Sequence, residues 1–340
     1  MENVLFLSHT EAEGRLGKAG LEALQAAVLL AGGSAPLTVG LVGGQVQPAA
    51  DQIATCGAGA FLAAQGPELS VSRYASDVAA AVALVRAAQA TVVVAPATWR
   101  LCRALPGAAQ RTGGRIDTQV TALQVGEAPK VQRWYYRQRM VATLSRQQRP
   151  WFVLMAAGAQ EPWQGQPGSA TLTAVPVELP ALRTRVEGIE AASGGAQTIR
   201  PDAQLLFVAG AGWTKKQPDG QTHVQEAEAL IRTFLDRTQA SLGSSKSLVD
   251  QGTEGQEVLS FLSHLNQVGQ TGATPRHPKG LSACCHGEEP HVVGWRFINE
   301  RRAINLDPNC GWARGKADVV YVADAFAVLR RVNEILAAGG

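Results

Sequence analysis

The sequence predicts an α/β protein: an N-terminal parallel-sheet α/β domain with an added antiparallel ribbon, followed by a C-terminal doubly wound α/β domain. Three observations predict it. Short apolar, β-branched runs alternate with long Ala/Leu-rich runs of helical spacing from residue 3 to about 96. The alternation breaks over 131–179, where apolar runs succeed one another without helices between them. It restarts beyond a polar, Gly-containing connector, "TRVEGIEAASGGAQTIRPD", at 184–202. The boundary falls there, giving domains at 1–190 and 200–340.

Taken in order, "NVLFLS" (3–8) reads as a buried strand and 15–31 as a helix. "LTVGLVG" (37–43) and "GAFLAA" (59–64) are the next strands, 73–90 an amphipathic helix, and "TVVVAP" (91–96) a β-branched strand. Strand and helix in alternation imply right-handed βαβ units and a mainly parallel sheet. "RWYYRQRMVATLS", "RPWFVLMAA" and "ATLTAVPVEL" (133–179) read as consecutive strands, hence the antiparallel addition. The second domain reads as strand 203–209, helix 222–241, helix 254–266, strand 280–284, helix 290–297, strands 301–306 and 318–323, and helix 324–337.

Composition narrows the function classes. A 340-residue chain can bury two cores, and 46% hydrophobic against 17% charged residues excludes a disordered polyelectrolyte. A net charge of +3 is too small to argue for nucleic acid. Lys130, Arg133, Arg137, Arg139, Arg146 and Arg149 share the stretch 128–160 with Trp134, Tyr135 and Tyr136 and with no acidic residue. Such a stretch reads as an exposed charged ribbon facing an acidic partner subunit, ahead of a nucleic-acid surface. "MENVLFLSHTEAEG" reads as a first strand without a basic leader, and no 18-residue apolar window suggests membrane insertion. Five unevenly spread cysteines suit a reducing cytoplasm. Adjacent Cys284 and Cys285 cannot both chelate one ion with good geometry, so no metal site is expected beside His286 and His291.

The chemistry-bearing residues concentrate in the second half. "NQVGQTG" (266–272) sets a Gly-x-x-Gly turn beside a Thr hydroxyl and two Gln amides, a cluster of donors suited to an anionic ligand. It is followed by "CCHGEEPHVVGW" (284–295), "AINLDP" (303–308) and "ADVVYVADAF" (317–326), and preceded by "LGSSKSLVDQG" (242–252). Ligands in doubly wound sheets sit at the carboxyl ends of strands, where these segments fall.

These linked segments resemble the α subunit of electron transfer flavoproteins, and "APATWRLCRALPGAAQRTGGRIDTQVTAL" (95–123) is similar to that family's first-domain helix and strand. The resemblance implies FAD held by the second domain, an obligate heterodimer with a β subunit, and electrons passed singly from a flavoenzyme dehydrogenase to a membrane quinone oxidoreductase. It implies an electron carrier with no catalytic residues of its own. Carried over position by position, the implied FAD contacts are Ser245, Lys246, Gln267, Val268, Gly269, Gln270 and Thr271. They continue with the turn His286, Gly287, Glu288, Glu289, Pro290 and His291, and with Asn305, Asp324 and Ala325. In that reading Asn305 and Asp324 take the adenosine end, and His291 faces the flavin C2 carbonyl, stabilising negative charge there.

Departures from the family pattern set further expectations. Lys246 replaces an arginine and loses its planar fork, which should move the flavin potential. "AGAGW" (209–213) lacks the arginine of the family's turn, "CCHGEEP" (284–290) is rewritten, and so are "YRQRM" (136–140) and Ala156-Ala157. They suggest a dedicated donor, for which an N-methyl amine or betaine demethylating flavoenzyme is a guess from the family's range. Two other classes stay open: an FAD-less scaffold or interaction subunit, and an enzyme subunit that uses the "CCHGEEPH" turn.

Overall fold

In a computed structural model of the chain, the described residues are 2–33, 35–126, 128–135, 140–181, 183–188, 199–200, 203–251, 257–268, 277–284 and 298–339. The chain divides into two compact units, Met1–Ile189 and Glu190–Gly340.

Unit 1 runs β1 (Val4–His9), α1 (Lys18–Ala31), β2 (Leu37–Gly43), α2 (Gln47–Gln52), β3 (Ala60–Gln65), α3 (Tyr74–Ala87), β4 (Val92–Pro96) and α4 (Trp99–Arg111). It continues with β5 (Arg115–Gln124), β6 (Lys130–Tyr135), β7 (Met140–Leu144), β8 (Trp151–Met155) and β9 (Leu172–Ala174). These strands form one nine-stranded sheet in the order β7-β6-β5-β8-β4-β1-β2-β3-β9. Alternate residues of β1 explain the layering. Val4 and Phe6 pack on the α1 side with Leu24 and Leu30. Leu5 and Leu7 pack on the other side with Val78 and Leu84 of α3 and Leu105 of α4. Each such Leu or Phe contributes roughly 1.5–3 kcal/mol by leaving water. Helix α1 stops where Gly32 enters the left-handed region at φ 55° and returns its N–H to Val28. Helix α4 starts on the Thr98 hydroxyl, which accepts from the Leu101 N–H.

The antiparallel addition is present but smaller than the three consecutive strands suggested. Strand β5 pairs β8 in parallel through Arg115–Asp117 and again at Val120, and pairs β6 antiparallel from Val120 to Gln124. The register shift between Asp117 and Val120 holds Gln119, whose φ is 54°. Only β6 and β7 extend the sheet antiparallel. Strand β8 is not part of that ribbon; fully buried on both faces, it slots in parallel between β4 and β5. Strand β9 crosses to the far edge beside β3.

The ribbon's arginines also differ from the expected exposed face. Arg146 clamps buried Asp117 with two bonds of 2.9 Å, Trp151 donates its indole N–H to the same carboxylate at 2.9 Å, and Arg133 stands 3.6 Å away. Burial pushes the Asp117 carboxyl up, but the Arg146 fork and the Trp151 indole outweigh it and hold it below the usual carboxylate range. Arg149 pairs with Glu2. Arg137 and Arg139 lie outside the described residues.

Unit 2 is a five-stranded, wholly parallel sheet. Its elements are β10 (Leu205–Ala209), α5 (Val224–Thr238), β11 (Ser241–Ser244), α6 (Lys246–Asp250), β12 (Lys279–Cys284), β13 (Glu300–Asn305), α7 (Gly311–Lys316), β14 (Val319–Val322) and α8 (Ala325–Ala338). The order is β11-β10-β12-β13-β14. Phe207, Ala209 and Ile304 face a layer with Ile231 and Phe234 of α5 and Leu329 of α8. Leu206, Val208 and Ala303 face Val268 and Ala313 on the other side. The helix read at roughly 222–241 is present as α5 but ends at Thr238, because Gln239 turns left-handed (φ 54°) and releases the chain into β11. One sequence expectation fails here. The helix read over 254–266 is absent from the described stretch 257–266, which holds only a 3-10 turn, His264–Asn266. There Ser263 and Asn266 cap each other reciprocally, so the chain leaves the turn extended. The helix read over 290–297 lies outside the described residues.

Candidate functional site

The carboxyl edge of the unit 2 sheet is tied together strand by strand. Gly210, just past β10, donates its N–H to Ala283 of β12 at 3.0 Å, and the Trp213 indole N–H reaches the same carbonyl at 3.0 Å. Ser245 donates to the Ala209 carbonyl at 2.9 Å, and Ala323 to Asn305 at 3.2 Å. Trp213 is fully buried and stacks at a tilt on Phe326 with centroids 4.7 Å apart. These bonds make the edge a continuous rim from β11 to β12, with a second link between β13 and the turn after β14.

The residues implied for FAD divide into three groups, two of them on this rim. Ser245 caps α6, its hydroxyl accepting from the Leu248 N–H at 3.2 Å. Asp324 caps α8, accepting from the Ala327 N–H at 2.8 Å, and Ala325 is the buried first residue of that helix. Asn305 ends β13 beneath them. Its Oδ1 accepts the Asp307 N–H at 2.8 Å, which fixes the amide, and its buried Nδ2 has no partner among the described residues. The Ser244 hydroxyl at the end of β11 is likewise buried without a described partner.

The second group is present on the rim but already engaged. Gln267 forms a parallel bridge with Ser244, and the Val268 N–H donates to the Ser244 carbonyl at 2.9 Å. The Val268 side chain rests on Gly243, where a Cβ would meet its Cγ2 at 2.6 Å. Val268 thus belongs to the core, with its backbone donor already spent. Lys246 is exposed and paired one helical turn on with Asp250, which also accepts from His264 at 3.0 Å. The Lys246 bond, then that of His264, holds the Asp250 carboxyl below its ordinary range.

The third group, Gly269, Gln270, Thr271, His286, Gly287, Glu288, Glu289, Pro290 and His291, lies outside the described residues.

Beside Asp324 opens a cavity of about 400 Å³, within the range of small-molecule sites. Pro218, Asp219, His223, Leu306 and Phe326 are among the residues that line it. Sequence reading passed over most of them. The one signal available was the Pro218-Asp219-Gly220 turn with a histidine four residues after the aspartate. Asp219 Oδ1 accepts the Gln221 N–H at 3.0 Å and Oδ2 bonds His223 Nε2 at 2.6 Å. Those two contacts, the backbone one first, hold the Asp219 carboxyl below its ordinary range.

An orphaned amide donor at a strand end, two helix caps and an adjoining cavity fit the nucleoside half of a dinucleotide. They are a poor match for a phosphate, since Asp219, Glu226 and Asp324 outnumber Arg330 around the cavity. Two α/β units, the second fully parallel with its polar groups at the carboxyl edge, define a doubly wound α/β protein of ligand-binding design. A family model for the electron transfer flavoprotein domain matches residues 4–182, and the chain belongs to that family. A role in the electron transfer of that family follows, and its members typically bind flavin. No curated protein matches the chain. Among the described residues no helix is long and apolar enough to cross a membrane.

Proposed function

We propose that the chain is the α subunit of an electron transfer flavoprotein, holding FAD in unit 2 and using unit 1 for contacts with a β subunit in an obligate heterodimer. It takes electrons from a dedicated flavoenzyme dehydrogenase, an N-methyl amine or betaine demethylating enzyme being one candidate, and passes them to a membrane quinone oxidoreductase. Its place of work is the cytoplasm. The observation that supports this most is Asn305, whose amide is locked by Asp307 while its Nδ2 stays unpartnered among the described residues, beside the cap Asp324.

Bound FAD would supply reversible one-electron chemistry. The residues of this chain would position it. Asn305 Nδ2 is the donor for the adenosine half, and the rim bonds from Gly210, Trp213 and Ser245 keep strand ends in register around it. Lys246, with Asp250 as counter-ion, sets a positive charge near the ring system. Turn residues 269–271 and 286–291 complete the site in this reading.

A second reading, an FAD-less interaction subunit, draws on the engaged state of the Val268 N–H and of Lys246. A visible spectrum of the purified chain with whatever chains copurify separates the two. Flavin absorption, with FAD released on denaturation, is expected. A colourless preparation that takes up no added FAD would end the flavin reading.

A further inference from the structure

Unit 1 holds a cavity of about 900 Å³ that the flavin reading does not use. Its lining comes from α3, from the last turn of α4 and from the segment that follows β9. That segment is anchored: the Val175 N–H donates to the Ala63 carbonyl at 2.8 Å, and Val177 packs into the core shared by α3 and α4. Val82, Ala83 and Val175 supply apolar wall, while Arg86, Gln110, Arg111 and Glu178 bring polar groups to it. An apolar cavity of this size with a few converging polar groups has the make-up of a small-molecule site.

An arginine in the last turn of a helix often serves the free carbonyls there. Here those carbonyls are taken. In α3 the Leu84, Val85 and Arg86 carbonyls accept from the Ala88, Ala90 and Gln89 N–H groups respectively. In α4 the Ala108, Ala109 and Gln110 carbonyls accept from Thr112, Gly114 and Gly113 in the same way. Neither the Arg86 and Arg111 guanidiniums nor the Glu178 carboxylate has a partner among the described residues. Two positive groups against one negative leave a single positive charge beside an apolar wall. Guanidinium forks match the planar oxygens of a carboxylate, and a single excess charge matches a monoanion.

We propose that this cavity is a second ligand site, for a monocarboxylate with an aliphatic body. Arg86 and Arg111 hold the carboxylate, Gln110 donates beside them, and the body lies along Val82, Ala83 and Val175. Glu178 disfavours a dianionic phosphate head by repulsion. The site stands on unit 1 alone and is independent of the flavin reading.

The test is isothermal titration of the full-length chain with any copurifying subunit, at about pH 8, where a phosphate monoester is dianionic. The probes are octanoate, octyl phosphate and octan-1-ol, each below its micelle-forming or solubility limit. Octanoate is expected to bind at one saturable site, about tenfold tighter than octan-1-ol, and tighter than octyl phosphate. Arg86→Gln and Arg111→Gln should each lose about tenfold in octanoate affinity with octan-1-ol unchanged. Ala83→Trp fills the cavity with both arginines kept and should abolish binding of all three probes. Arg103→Gln removes an exposed arginine of α4 outside the cavity and should change nothing. Arg86 and Arg111 are exposed and Ala83 is half-buried, so folding is spared, and thermal unfolding of each variant checks it. Equal affinity for octanoate and octan-1-ol, absence of binding, or octanoate binding that survives Ala83→Trp overturns the proposal. Tighter binding of octyl phosphate than of octanoate overturns the monocarboxylate assignment. All of these outcomes leave the flavin reading standing.

Discussion

The indole N–H of Trp213 donates to the carbonyl of Ala283 at 3.0 Å, joining the turn after β10 to the last residues of β12. Both partners are fully buried. Replacing Trp213 by Phe keeps a ring against Phe326 and leaves the Ala283 carbonyl with the Gly210 N–H as its remaining donor. Trp213→Phe should cost about 0.5–1.5 kcal/mol, read as a lower urea midpoint for unit 2.

Gly243 carries no side chain because Val268 occupies that space. Gly243→Ala must push the Gln267–Val268 segment off β11, since the Cβ would come within 2.6 Å of Val268 Cγ2. Overpacking of this kind costs roughly 1–3 kcal/mol. Gly243→Ala combined with Val268→Ala should recover part of that loss in thermal unfolding, and an additive double variant would refute the contact.

In unit 1, Arg100 bonds Asp77 through Nε at 3.1 Å and Nη2 at 2.6 Å, both side chains being buried. Arg100 also holds the Leu69 carbonyl at 2.8 Å. Asp77→Ala leaves that guanidinium uncompensated inside the protein and should cost about 3–5 kcal/mol in chemical denaturation. Replacing both partners by apolar residues should cost clearly less.

Asp117 gives unit 1 an acid-sensitive element. Its carboxyl titrates below the usual range, so its contribution to stability is fully present above the unfolded-state value of about 3.9 and is lost as pH falls through the lower folded-state value. Urea midpoints measured from neutral pH downward should fall more steeply in that acid window for the native protein than for Asp117→Asn. Equal slopes would show that the Arg146 clamp carries no linkage.

Lys246 should behave in the opposite manner. Its pair with Asp250 is exposed and worth at most about 0.5 kcal/mol. Lys246→Ala is expected to leave the unfolding midpoint in place. Any change in flavin midpoint potential then reports the lost charge alone, and an unchanged potential removes Lys246 from the flavin's surroundings.

Much of the strand pattern was legible because burial on both faces writes continuous apolar runs. "LTVGLVG" coincides with β2, and "TVVVAP" overlaps β4. Helices α3 and α8 were legible through their apolar spacing. The place of β8 was not, since the order of strands in a sheet depends on pairing between distant residues that no local pattern records. The short strand β11 was hidden because one left-handed residue, Gln239, decides where α5 stops. Family resemblance named Asn305 and Asp324 as candidate contacts but gave no sign of the cavity beside Asp324, whose wall comes in part from the irregular loop around Asp219 and His223. The Lys246–Asp250 pair carried a readable signal, opposite charges four residues apart.

Strand β8 is eighth in the chain and fourth in the sheet, counted from the ribbon edge. During synthesis, a growing chain that ends before Trp151 has made β4 and β5 without the strand that joins them. Val92, Val93 and Val94 then carry backbone N–H and C=O groups along an edge that has no partner strand. A truncation before β8 should therefore yield aggregate where one just past β9 yields a folded unit.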